Sequence, residues 1–109
     1  ALSARLIEQA GFAAYSIGGF PLVGSRHAIP DIGLVGLGEM SAGMRDIMAA
    51  SSLPVMVDGD DGYGDEKNAT NTIRTDERMG AAAIFLGAPE SRKKMAAPES
   101  RFTVAVQMW

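Results

Sequence analysis

Three short apolar runs, each closing on glycines or acids, constrain what this chain can become. Residues 12–17 (FAAYSI) run into Gly18-Gly19, residues 54–57 (PVMV) run into Asp58-Gly59-Asp60-Asp61-Gly62-Tyr63-Gly64, and residues 82–86 (AAIFL) follow Gly80. Compact apolar runs bounded by turn residues read as buried strands. Helical spacing fills the intervals. Leu2, Leu6, Ile7 and Ala10 recur on one face before Gly11, Met40, Met44 and Met48 fall four apart within residues 39–50, and residues 65–79 are polar and helix-compatible up to Gly80. The order helix, strand, helix, strand, helix, strand, with strands apolar on both faces, predicts an α/β fold of parallel strands covered by helices. The methionine stripe is assigned to core packing, since methionine fills irregular gaps.

Composition narrows the partners. The formal charge is −3 over 109 residues, so the clustered positive charge that nucleic acids and anionic membranes attract is missing. There is no cysteine, which excludes a disulfide framework and a thiolate metal site. Apolar runs stay far below the ~20 residues of a membrane span, so neither nucleic acid nor membrane is expected as a partner. The opening residues, Ala-Leu-Ser-Ala-Arg, read as mid-helix sequence and not as a basic leader.

The texture changes after Leu86. Ala-Pro-Glu-Ser-Arg occurs at 88–92 and again at 97–101, and residues 87–109 carry four basic and two acidic side chains, against six basic and eleven acidic before them. Residues 102–107 alternate enough for a strand, while the Ala-Pro-rich surroundings suit a disordered tail equally. The expected division is therefore one domain over 1–86 and a divergent tail over 87–109.

Asp58-x-Asp60 holds the chemistry. Carboxyl ends of parallel strands form the ligand-binding face of α/β folds, and hard carboxylate oxygens suit Mg²⁺, which takes one or two protein carboxylates and completes its octahedron with water and substrate oxygens. Asp58, Asp60 and Asp61 are the candidates, against the plain alternative of a solvated acidic turn. An EF-hand fails on spacing, because the fifth, sixth and twelfth positions from Asp58 are Gly62, Tyr63 and Ala69. Gly33-x-x-Gly36-x-Gly38 has the wrong order for a dinucleotide loop. His27, the one histidine, is expected on the surface of a loop, and Asp31 is a turn residue able to approach the strand ends.

Residues 1–12 (ALSARLIEQAGF), Ile17-Gly18-Gly19-Phe20, Pro30-Asp31-Ile32-Gly33-Leu34 and residues 53–64 (LPVMVDGDDGYG) together resemble the isocitrate lyase/phosphoenolpyruvate mutase family, most specifically in the D-x-D-x-G-Y-G run. The likeness covers residues 1–86 and is of the methylisocitrate/dimethylmalate lyase type. It implies about three βα units of a (β/α)8 barrel, a cytoplasmic or, in a eukaryotic parent, mitochondrial location, and a homo-oligomeric parent. It also implies a carbon–carbon lyase that acts on a small 2-hydroxy or 2-oxo carboxylate with Mg²⁺, or Mn²⁺ in its place. Asp58 would then sit on the metal, Asp60 in its water shell, Asp31 near the substrate, and the Gly18-Gly19 backbone against the substrate carboxylate.

Departures from the family matter as much. Gly18 stands where the family has Ser. Leu86 is followed by Gly87-Ala88-Pro89-Glu90 where the family continues Glu-Asp-Gln and then a loop like Lys-Arg-Cys-Gly-His, and neither Glu90 nor Lys93-Lys94 is expected to substitute. The family's first strand and strands four to eight have no counterpart here. The 109-residue chain is therefore expected to be catalytically incomplete, as a truncated or frame-shifted product would be. The alternatives are a phosphonopyruvate-type relative and a non-catalytic binding or assembly module pairing exposed sheet edges.

Overall fold

The computed structural model describes residues 1–87 and the strand at 104–108. Its elements run α1 (Leu2–Gln9), β1 (Tyr15–Ile17), α2 (Gly19–His27), α3 (Leu37–Met48), β2 (Val55–Asp58), α4 (Glu66–Met79), β3 (Ala83–Gly87) and β4 (Val104–Met108). One sheet of order β1-β2-β3-β4 results. The first three strands are parallel, as predicted, with Ile17 beside Val57 and Val57 beside Ile84.

Strand alternation explains where the core lies. Ile17, Val57 and Ile84 share the face that the helices cover, and all three are buried. Met40 and Met44 of α3 pack into the same core at 1% exposure each, so the methionine stripe serves packing. The opposite sheet face carries Ser16, Met56 and Phe85 and is only partly covered, with Met56 37% exposed. Strands apolar on both faces therefore correspond to one face under helices and one face open.

Two elements differ from the sequence reading. Helix α2 occupies residues expected to form a loop, because Gly19, Gly24 and Pro21 lower helix propensity. Pro21 falls in its first turn, where a missing N–H is harmless, and Leu22 and Val23 secure it by burial. His27 consequently ends α2 instead of lying in a loop. Its Nε2 lies 3.9 Å from Glu39 on α3, and the neighbouring Arg26 pairs with Asp46 of the same helix at 2.8 Å. The second difference is β4, which pairs antiparallel to β3 from Gly87–Val104 to Ala83–Met108. Of the residues 102–107 left open between strand and disordered tail, 104–107 fall in this strand, and 102 and 103 lie outside the described residues. Glu90, Lys93 and Lys94 lie outside the described residues.

Helix α4 begins as its sequence dictates. Asp65 caps it by accepting from the Lys67 and Asn68 amides, and Gly80 ends it in a left-handed conformation. Among the described residues no helix is long and apolar enough to cross a membrane.

Candidate functional site

Strand β2 ends on Asp58, and both of its carboxylate oxygens are engaged by backbone. Oδ2 accepts from the Gly19 amide at 3.0 Å and Oδ1 from the Asp60 amide at 3.0 Å. The first contact joins the end of β2 to the first residue of α2, where amides point outward unpaired and the helix dipole favours negative charge. Asp31 converges on the same point. A Cβ added at Gly19 would lie 2.9 Å from Asp31 Oδ2 and 3.3 Å from Asp58 Oδ2, so a side chain there would push these carboxylates aside. Gly18 precedes this in an extended conformation as the N-cap of α2.

The loop after β2 is strained where it turns. Asp60 and Tyr63 both adopt left-handed backbone at φ 52° and 60°, a region that side-chain-bearing residues avoid and that clusters at functional sites. Asp61 Oδ1 accepts the Tyr63 amide at 3.0 Å, and the Gly87 amide donates to the Asp60 carbonyl at 2.6 Å, tying the loop to the end of β3. The Tyr63 phenol is pushed far up from its usual range, first by burial and then by the carboxylates of Asp60, Asp58 and Asp76. It stays neutral at any ordinary pH.

Beside Asp58 is a cavity of about 200 Å³ lined also by Ser16, Gly18, Met56 and Phe85 among others. That volume suits a small organic acid better than a nucleotide, since pockets for drug-sized ligands run to roughly 300 Å³ or more. Gly18, Gly19, Asp31 and Asp58 are thus assembled in one place, and Asp60 adjoins through its backbone while its carboxylate neighbours Tyr63. Sequence reasoning missed Met56 and Phe85 as lining residues. Period-two alternation from Asp58 would have found Met56, and Phe85 follows from its register opposite Asp58.

The donor set fits a hard divalent cation that takes few protein ligands. Among the described residues no group of three or more acids or histidines could hold a metal ion, and strand β3 ends on Gly87, without a carboxylate. Asp58 nevertheless keeps unused lone pairs, because a carboxylate accepts at about four positions. Mg²⁺ binds through one or two such groups.

Comparison with known proteins places these features in context. The family model described as phosphoenolpyruvate phosphomutase matches residues 1–107. The 2-methylisocitrate lyase of Aeropyrum pernix is 42% identical over 81 residues, covering 74% of this chain and 26% of that protein. A crystal structure of 2,3-dimethylmalate lyase, titled a member of the PEP mutase/isocitrate lyase superfamily, superposes with a TM-score of 0.70 at 36% identity, covering 76% of this chain and 30% of that one. Phosphonopyruvate hydrolase, solved with oxalate and Mg²⁺, also gives 0.70 at 36% identity, over 76% and 29%. The chain thus spans less than a third of the length of each of these relatives.

Proposed function

This chain belongs to the phosphoenolpyruvate phosphomutase family, within the superfamily that includes isocitrate lyase, and from that premise we propose that its parent protein breaks a carbon–carbon bond in a small 2-hydroxy or 2-oxo carboxylate. Asp58 would hold a divalent cation, Mg²⁺ or Mn²⁺, with Asp60 ordering the water around it. When bound, the cation supplies Lewis-acid stabilisation of negative charge developing on a substrate oxygen. Gly18 and Gly19 would offer backbone amides at a helix N-terminus to the substrate carboxylate, and Asp31 approaches the same point. Tyr63, half-buried and neutral, packs against the core beside the loop.

One observation carries this reading: Asp31 and Asp58 converge on Gly19 at the start of α2, and Asp58 also lines a cavity of about 200 Å³. A helix N-terminus facing two acids makes chemical sense when a cation and an anion bind there together. The relatives support the substrate class, since their names include methylisocitrate and dimethylmalate lyases and a hydrolase solved with oxalate and Mg²⁺. A phosphonate-active parent is the second reading, favoured by that hydrolase and by the family model itself.

For the 109-residue chain we propose binding without turnover, because no cysteine occurs, no histidine follows His27, and Gly87 replaces an acid at the end of β3. The test is incubation of the purified chain with oxaloacetate or 2,3-dimethylmalate and Mg²⁺. Turnover that disappears in Asp58→Ala would overturn the proposed inactivity. Mn²⁺ binding weakened in Asp58→Asn supports the cation site, and equal binding by both chains refutes it. The parent's cellular compartment and its assembly into a homo-oligomer remain part of the proposal and are tested by fractionation and by light scattering.

A further inference from the structure

The loop that carries the acids lies against one face of α4. Ala69, Thr72 and Asp76 follow at spacings of three and four, so they share that face, and Thr72 and Asp76 are 0% and 1% exposed. Gly62 sits directly on it: a Cβ there would fall 2.6 Å from Ala69 Cβ and 2.7 Å from Ala69 Cα. Two carbonyl oxygens, those of Gly62 and Asn68, lie 3.0 Å from Thr72 Oγ1.

Contact with the carbonyl four residues back is ordinary for a helical threonine. Thr70 makes it on the exposed side, donating to the Glu66 carbonyl at 3.0 Å. Gly62 is the additional partner, ten residues away and buried. It sits between Asp60 and Tyr63, where the backbone is left-handed. Conformations of that kind cost about 1–3 kcal/mol and persist only where surrounding contacts fix them.

We propose that Thr72 is a positioning residue for the acidic loop: its hydroxyl, donated to the Gly62 carbonyl from inside α4, holds the Asp60–Tyr63 turn in the shape that presents Asp58 and Asp60. The tether stands on its own geometry, while its consequence for cation binding rests on the reading of Asp58 and Asp60 given above. Valine is the informative replacement, because it keeps the branched shape and removes the hydroxyl. Serine keeps the hydroxyl and removes the methyl.

The experiment measures amide hydrogen exchange of the whole chain, residue by residue, together with Mn²⁺ binding followed by water-proton relaxation. In Thr72→Val the amides of residues 60–64 should exchange roughly fivefold to tenfold faster, the ratio that one net hydrogen bond supports, and Mn²⁺ affinity should fall in step. Thr72→Ser should keep both near the parent values, and Thr70→Val should change neither. Thr72→Ala repeats the comparison without a branched apolar group, which covers a folding defect in the valine variant. Parent-like exchange in the valine and alanine variants overturns the proposal, as does acceleration spread evenly over β1, β2 and β3, or serine behaving like valine. A parent chain that binds no Mn²⁺ at all refutes the cation reading instead, and exchange alone then decides the tether.

Discussion

The Gly19 amide donates to Asp58 Oδ2 at 3.0 Å across 39 positions of sequence, so the amide end of α2 and the acid at the end of β2 satisfy each other. In the proposed site a cation would draw on Asp58 and a carboxylate on Gly19, so each ligand would relieve the other's competitor. Such coupling is reciprocal and typically amounts to 5–150-fold. Oxalate should therefore bind the chain at least about fivefold more tightly with Mg²⁺ present, measured by calorimetry with the free oxalate–Mg²⁺ equilibrium subtracted. Asp58→Asn should remove that difference. Equal oxalate affinity with and without Mg²⁺ would count against coupling at this contact.

Gly62 and Gly11 separate two costs that glycine substitutions usually mix. Both have positive φ, at 84° and 82°, yet a Cβ at Gly62 meets Ala69 while one at Gly11 meets nothing within 4 Å. Gly11→Ala should cost about 1 kcal/mol from backbone conformation alone. Gly62→Ala should cost about 2–4 kcal/mol, because overpacking is added to the same backbone term. Urea denaturation of the two variants measures the difference, and equal losses would mean that Ala69 yields freely.

Asp76 links folding to pH. Burial raises its carboxyl from the usual 3.8 to about 6, so the folded chain binds the proton more tightly than the unfolded chain. Stability from this group is fullest below about pH 3.8 and is lost as pH rises through about 6. Asp76→Asn should therefore stabilise the chain relative to the parent at pH 7.5, by about 1–3 kcal/mol. The advantage should shrink towards zero at pH 4. Thermal melts at the two pH values check this, and a pH-independent difference would show that Asp76 does not titrate in the folded state.

Met44 tests the packing role of the α3 stripe. It is 1% exposed within the core that includes Val23, Val57 and Ile84. Met44→Ala should cost about 2–5 kcal/mol, whereas Met44→Leu should stay within about 1.5 kcal/mol. Chemical denaturation distinguishes them, and a large loss in both would point to a role for the thioether beyond volume.

Legibility in the sequence followed the strength of local signals. The three parallel strands were readable because apolar runs end sharply on glycine or acid, and Asp65 and Gly80 mark the ends of α4 by chemistry that acts within a few residues. The acids at 58 and 60 were readable as a strand-end cluster for the same reason. Helix α2 was hidden because its stability comes from burying Leu22 and Val23, a tertiary term that overrides the poor propensity of its glycines. The cost of reaching from Asp58 to Gly19, and the fit of Gly62 against Ala69, belong to chain crossings that no local pattern encodes. Thr72 illustrates the limit: beside Thr70 it is one of two similar residues in a polar helix, and only the packing of the loop makes them different.

Strand β4 gives the sheet a direction. Both long edges of β3 are taken, one by β2 and the other by the antiparallel β4, while among the described residues β1 pairs with β2 alone. A further parallel strand added beyond β3 would have to evict β4 residue by residue, losing five paired positions before gaining its own. Growth of this sheet by strand addition is therefore polar: open at Tyr15–Ile17 and blocked at Ala83–Gly87, so that β4 competes for the very edge on which a cylinder of parallel strands would have to continue.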